Sequence, residues 1–231
     1  METILRAGLA QLGLSDNCIP ALAEFSHLLL EKNKVMNLTA ITEPAAVASL
    51  HLLDSLCLLQ AVDLSEKQVI DVGTGAGFPG MPLRIAKKDF DLTLLDSLGK
   101  RVSFLQECCD ALALERVSCV HARAEEFADA RREQFDVATS RAVAALPMLA
   151  ELCLPLVKVG GLFVAMKSVE SDEEIQGAKN AIAILGGKLK EIRDYPVPGT
   201  DVTHRLVIIE KVKPTPGKYP RPFARIKKAP L

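Results

Sequence analysis

Asp71 closes an apolar run, and Gly73, Gly75 and Gly77 follow at alternate positions before Pro79 and Gly80. Alternating glycines let a backbone turn sharply and approach a ligand that a side chain would obstruct. The loop of Gly73, Thr74, Gly75, Gly77 and Phe78 is therefore the expected cofactor cradle. A Cβ at Gly73 is expected to occupy ligand space. Two ligand classes fit. Gly75, Gly77 and Gly80 spell G-x-G-x-x-G, the dinucleotide pattern. The acid ahead of the glycines favours S-adenosylmethionine, because a carboxylate suits an ammonium and a sulfonium and repels a pyrophosphate. A tight strand-to-helix turn with no ligand is the plain alternative.

Further acids stand at two comparable places. Asp96 ends the run Leu94-Leu95-Asp96 and can accept hydrogen bonds from two ribose hydroxyls; helix capping is its other reading. Ala124 and Glu125, with Glu126, follow the next apolar run, where an adenine edge would be read. The acids there would equally suit the first turn of a helix. Arg141 closes the following run, where cofactor and acceptor would meet, and its donors could reach either. Absences narrow the chemistry. There is no N/D-P-P-Y/F turn for methylating an exocyclic amine and no Pro-Cys nucleophile for methylating a pyrimidine carbon. What remains are acceptors that already own a lone pair, of which guanine N7 is one, and such an acceptor needs no general base. His51, Asp54 and Ser55 can share a helical face, but no nucleophile elbow or oxyanion loop accompanies them, so capping and positioning are expected. His204-Arg205 opens the last apolar run as a solvated end or a substrate-side pair.

The elements that must position these residues follow from periodicity. Runs rich in Val, Ile and Leu at 68–72, 91–95, 117–120, 135–139 and 161–166 alternate with helix-compatible stretches. That alternation predicts an α/β fold with right-handed crossovers, a mostly parallel sheet and helices on both faces. The runs 188–194 and 205–211 are separated by a link too short for a crossover helix and read as an antiparallel pair finishing the sheet. Residues 1–66 read as a helical cap, 67–212 as the core and 213–231 as a basic tail. In the cap, Leu5, Leu9 and Leu12 share a face, Ser15 or Asp16 caps a second helix, and a third begins after Thr42. The tail carries five prolines and is expected to be irregular.

The 231 residues have a formal net charge of -1, yet residues 211–231 hold seven Lys/Arg and no Asp/Glu. Cations with Tyr219 and Phe223 suit phosphate contact and base stacking. A cytoplasmic protein is expected, with reduced thiols, no secretory signal, no membrane span and no metal-ligand spacing among its six cysteines.

Collinear motifs extend across nearly the whole chain: M-N-L-T-A-I at 36–41, H-L-L-D-S-L at 51–56, D-V-G-T-G-A-G-F-P-G at 71–80, L-L-D-S-L-G-K-R at 94–101, R-A-E-E at 123–126, S-R-A-V at 140–143, H-R-L-V-I-I-E-K at 204–211 and K-Y-P-R at 218–221. In these the chain resembles the glucose-inhibited division protein B family, bacterial guanine-N7 methyltransferases of small-subunit ribosomal RNA. The resemblance implies a Rossmann-like class I methyltransferase using S-adenosylmethionine. It places cofactor contacts on Gly73, Phe78, Asp96, Ala124, Glu125 and Arg141. The implied acceptor is a guanine N7 in a 16S rRNA stem-loop near the decoding region, in naked rRNA or the small subunit. Arg141, Arg205, Lys218 and Arg221 are the expected substrate contacts. The chain departs from the family's usual pattern at Lys167-Ser168, where Lys-Gly is common, and at Phe223 and Ile226. An NAD-dependent oxidoreductase and a non-catalytic RNA-binding assembly factor are the competing readings.

Overall fold

The computed structural model describes residues 1–231 except Ala142, which falls within the S-R-A-V motif. The cap opens with α1 (Glu2–Gln11) and α2 (Ile19–Met36). Ser15 precedes α2, and its hydroxyl accepts from the Asn17 amide through a short 3₁₀ turn. Then α3 (Pro44–Val47) begins at a proline, with Glu43 accepting from the Ala46 amide. The stripe Val47, Leu50, Leu53, Leu56 predicts a regular helix beyond it. Instead Ala48–Leu53 is π-helical, leading into α4 (Asp54–Leu56). The wider coil shifts the facing of every later side chain, a device that concentrates at functional sites.

The core alternates as expected. It runs β1 (Gln68–Val72), α5 (Gly80–Ala86), β2 (Asp91–Asp96), α6 (Gly99–Ala111), β3 (Val117–His121), α7 (Ala124–Ala130), β4 (Phe135–Arg141), α8 (Leu146–Cys153), β5 (Val157–Ser168) and α9 (Asp172–Ile184). The hairpin β6 (Gly187–Pro196) and β7 (Thr203–Lys211) completes the sheet. Strand order is β3-β2-β1-β4-β5-β7-β6, with β7 inserted antiparallel between β5 and β6. The order reverses between β1 and β4, so the carboxyl ends of these neighbours open the crevice where such sheets bind ligands. Gly73 and Arg141 stand at that crevice, each at the end of its strand.

Two apolar layers cover the sheet. Leu5, Leu22, Phe25 and Leu53 of the cap share one cluster with Val69, Leu92 and Phe104. Phe163, Val207, Leu149 and Ile182 build the other. No helix among the described residues is long and apolar enough to cross a membrane. All six cysteines are free thiols, four of them buried.

The tail departs most from expectation. It is packed, and it ends in α10 (Phe223–Lys228). Tyr219 is buried and Ile226 fully so. Arg132 donates to the carbonyls of Tyr219, Thr215 and Pro216. Arg221 donates twice to Glu151, at 2.8 and 2.6 Å, and that carboxylate is fully buried. Lys211 is fully buried on the carbonyls of Leu154 and Val157, 3.1 Å from Glu133. Composition marks these cations as a free basic tail; the structure uses Lys211 and Arg221 as internal partners instead. Lys213, Lys218, Arg225, Lys227 and Lys228 remain exposed.

Arg221→Ala should therefore lower the unfolding free energy by ~3–5 kcal/mol in urea, because it strands a buried carboxylate. A loss within about 0.5 kcal/mol, the surface range, would restore Arg221 to the solvent.

Candidate functional site

Asp71 fixes the loop from below. Its Oδ2 accepts from Thr74 Oγ1 at 2.7 Å and from the Gly80 amide at 2.9 Å. The residue has no exposed surface, and its Oδ1 has no partner among the described residues. Burial pushes its pKa up to about 6, against the lowering effect of those two hydrogen bonds. Asp71 thus shapes the loop and does not line the crevice, where the sequence reading placed its charge opposite the ligand.

The glycines divide by role. Gly73, Gly75 and Gly77 all have positive φ, which suits glycine alone. A Cβ on Gly73 would meet Val143 at 2.7 Å, so neighbouring protein, not the expected ligand space, excludes it. A Cβ on Gly77 would strike Met81, Leu105 and Phe25, which places Gly77 in the core and outside the cradle. A Cβ on Gly75 would reach only the Gly73 carbonyl oxygen and Arg101 Nη1, at 3.8 and 4.0 Å, in the open space of the crevice.

That crevice is three contiguous cavities. The central one, about 430 Å³, is lined by Gly73, Thr74, Gly75, Phe78, Asp96 and Arg141, together with His51 and Arg101. A smaller one of about 130 Å³ lies on the β2–β3 side and shares Gly73 and Asp96 with it; Ala124, Glu125 and Phe223 complete it. The third, about 480 Å³, lies on the β5–β7 side among Ile41, Leu50, Met166, Ser168, Val202 and His204. Among the described residues it shares only His51 and Arg141 with the central cavity.

Asp96 is almost fully buried, and each of its oxygens accepts one amide at 2.9 Å, from Gly75 and from Leu98. A carboxylate offers about four lone-pair sites, so acceptors remain. The cap reading and the ligand reading of Asp96 are thus compatible. The loop's open face and this acid fit the ribose of an adenosyl group.

Between the central and third cavities lies a network that sequence distance conceals. Asp54, 1% exposed, receives Arg141 Nη1 on Oδ2, and both Tyr195 OH and His204 Nδ1 on Oδ1, each at 2.8 Å. Burial alone would raise Asp54, but the His204 bond and the Arg141 charge hold it below the usual carboxylate range. His51 is lowered to about 4, by burial and then by Arg141, so the ring is neutral at pH 7. His51 Nδ1 lies 3.2 Å from both Arg141 Nη2 and the Leu50 carbonyl, and its Nε2 meets Thr39 Oγ1 at 2.8 Å. Phe78 supports both groups, with the His51 ring stacked at 4.5 Å and the Arg141 guanidinium at 4.8 Å.

Arg205, Lys218 and Arg221 line none of the three cavities. Arg205 is held by Asp194 and Asp172, both at 2.6 Å. Lys167 is held by Ala144 O and Glu174. Thr39 and Arg101 lie within the collinear motifs at 36–41 and 94–101 but carry no expected role, and Tyr195 lies in none of the motifs.

The family described as rRNA small subunit methyltransferase G matches residues 18–197. The "Ribosomal RNA small subunit methyltransferase G" of Alkaliphilus metalliredigens is 50% identical over all of this chain and 98% of that protein. The chain belongs to that family. It is an S-adenosylmethionine-dependent ribosomal RNA methyltransferase, and neither hydride transfer with NAD nor a purely non-catalytic role describes it. Distant structures share the methyltransferase's fold. Precorrin-6y C5,15-methyltransferase from Geobacter metallireducens superposes with a TM-score of 0.52 at 13% identity, over 69% of this chain and 87% of that one. M. jannaschii TYW2, solved in complex with AdoMet, gives 0.53 at 15% identity, over 69% and 75%. Among the described residues, no group of three His, Cys, Asp or Glu could hold a metal ion.

The hydrogen bond to Asp54 raises His204 above the ordinary histidine value of 6.5. A raised folded-state pKa stabilises fully below the unfolded value and stops doing so as pH passes the folded one. His204→Asn should therefore lower Tm more at about pH 5.5 than at about pH 9. Equal losses at both would show that the pair carries no charge.

Proposed function

We propose that the cofactor lies along the first two cavities and a guanine of 16S rRNA enters the third, with N7 as acceptor. The observation that carries this reading is the sharing of Arg141 and His51 between the central and third cavities: the methyl group crosses where they stand. Gly73, Thr74, Gly75 and Phe78 cradle the methionine end. Asp96 holds the ribose hydroxyls, while Ala124 and Glu125 read the adenine edge. Residues 1–66 act as a cap over a core of 67–212, and 213–231 form a tail.

The third cavity suits a splayed base. Ile41, Leu50, Met166 and Val202 offer apolar flanks, and Ser168 and His204 offer polar groups for an edge. The bound cofactor supplies a methyl group on a positively charged sulfur. Guanine N7 takes that methyl with its own lone pair, the bond from carbon to sulfur breaks, and the base becomes a cation. No proton leaves, so no general base is required. The chain's task is to bring the two reactants into line, worth up to ~7–11 kcal/mol in favourable cases, without opposing a positive charge that moves onto the base. Two unit charges about 4 Å apart interact by ~4 kcal/mol at an effective dielectric of 20. A bare Arg141 would impose that penalty; Asp54 offsets it wherever His204 is unprotonated, and His51 adds none because it is neutral.

Lys218, Arg225, Lys227 and Lys228 are exposed and contact RNA phosphates. The acceptor lies in a stem-loop near the decoding region, of naked rRNA or the small subunit, and the enzyme works in the cytoplasm.

Two measurements test this reading. Labelled methyl groups mapped on 16S rRNA, offered naked and as small subunits, should fall on one guanine N7; label on any other atom would overturn the acceptor assignment. Asp96→Ala should weaken S-adenosylmethionine binding by ~1–3 kcal/mol, the scale of hydrogen bonds to a charged group, as read by calorimetry. Unchanged affinity would leave Asp96 as a helix cap only.

A further inference from the structure

We propose that Phe223, carried on the C-terminal helix α10, forms one wall of the adenine subsite, so that the tail is part of the cofactor site. This rests on the cofactor placement above and extends it to a segment that reads in the sequence as an RNA-binding appendage.

Three observations carry it. First, the small cavity beside Asp96 is not closed by the core alone. Gly73, Asp96, Ala124 and Glu125 of the core line it together with Phe223 of the tail. Second, the ring sits in a defined place. Phe223 packs on the apolar cluster beneath α8 and α9, and the Arg123 guanidinium lies 5.5 Å from its centroid. Third, the helix that carries it is anchored independently of any ligand. Ile226 is fully buried, Arg221 grips the buried Glu151, and Arg132 holds the preceding carbonyls. A ring fixed before the ligand arrives spares the cost of ordering it on binding. Adenine has a flat face with no hydrogen-bonding groups, and an aromatic wall is the surface that suits such a face.

The proposal makes the adenosine half of the cofactor depend on the tail, while the methionine half depends on the glycine loop. S-adenosylmethionine and 5′-methylthioadenosine, which lacks the amino-acid end, separate the two halves. The 231 residues contain no tryptophan, so Phe223→Trp places a single indole reporter at the wall.

The experiment is calorimetric titration of wild type, Phe223→Ala and Asp96→Ala with both ligands, alongside indole emission of Phe223→Trp titrated with 5′-methylthioadenosine. Phe223→Ala is expected to bind both ligands about tenfold more weakly, the scale of one base–aromatic contact. The Phe223→Trp emission should change saturably over the same concentration range. If Phe223→Ala binds both ligands as wild type does while Asp96→Ala binds weakly, the tail is no part of the subsite and the cofactor placement stands. If Asp96→Ala also binds as wild type, the placement itself fails and the proposal with it. Should Phe223→Ala fail to fold, an indole emission indifferent to saturating 5′-methylthioadenosine would still overturn the proposal.

Discussion

The carboxylate of Asp54 holds together the junction between the central and third cavities. It is buried, ionised and met by three donors from three strands: Arg141 on β4, Tyr195 on β6 and His204 on β7. An unpaired charge in that place would cost several kcal/mol, so its partners have little freedom to leave. Asp54 itself belongs to the cap, directly after the π-helical segment. One carboxylate therefore fixes the cap to the sheet, fixes Arg141 between two cavities and neutralises its charge. Phe78 continues the arrangement by carrying both Arg141 and His51 on its ring, which ties the network to the glycine loop.

The loop has its own buried acid. Asp71 fastens both ends of the glycine run through Thr74 and Gly80. The two acids divide the work. Asp71 sets the shape of the cradle beneath one cavity, and Asp54 sets the passage into the next. Burial pushes upward on both pKa values, and the two acids differ in what opposes it. Asp54 has a guanidinium and an imidazole and stays low; Asp71 has one hydroxyl and one amide and rises to about 6.

Local signals made much of this readable from the sequence. The apolar runs located all seven strands to within a few residues, because a buried strand is a contiguous feature. The loop and Asp96 were legible for the same reason: the loop follows directly on one strand and Asp96 ends another. The Asp54 network was not, since its members lie 87, 141 and 150 residues from Asp54 and no spacing rule joins them. His51 and Asp54 read as capping and positioning groups and His204 as a solvated strand end or a substrate-side residue, with nothing to join them, and Tyr195 carried no mark. The internal pairing of Lys211 and Arg221 was not legible, because charge composition describes a segment and says nothing of its partner. One signal was available: Glu151 is the only charged residue between Leu146 and Val157, and an acid alone in an apolar run implies a buried cation elsewhere.

The central claim is that Asp54 holds Arg141 in place and in charge balance for methyl transfer. Single-turnover methylation of 16S rRNA by Asp54→Asn, at saturating RNA and S-adenosylmethionine, tests it most directly. The substitution keeps the shape and removes the charge. The transfer rate should fall about 10²-fold, the scale of a small misplacement or a lost electrostatic partner, while calorimetry shows cofactor affinity within a few-fold of wild type. A wild-type transfer rate in a variant that binds the cofactor normally would contradict the account.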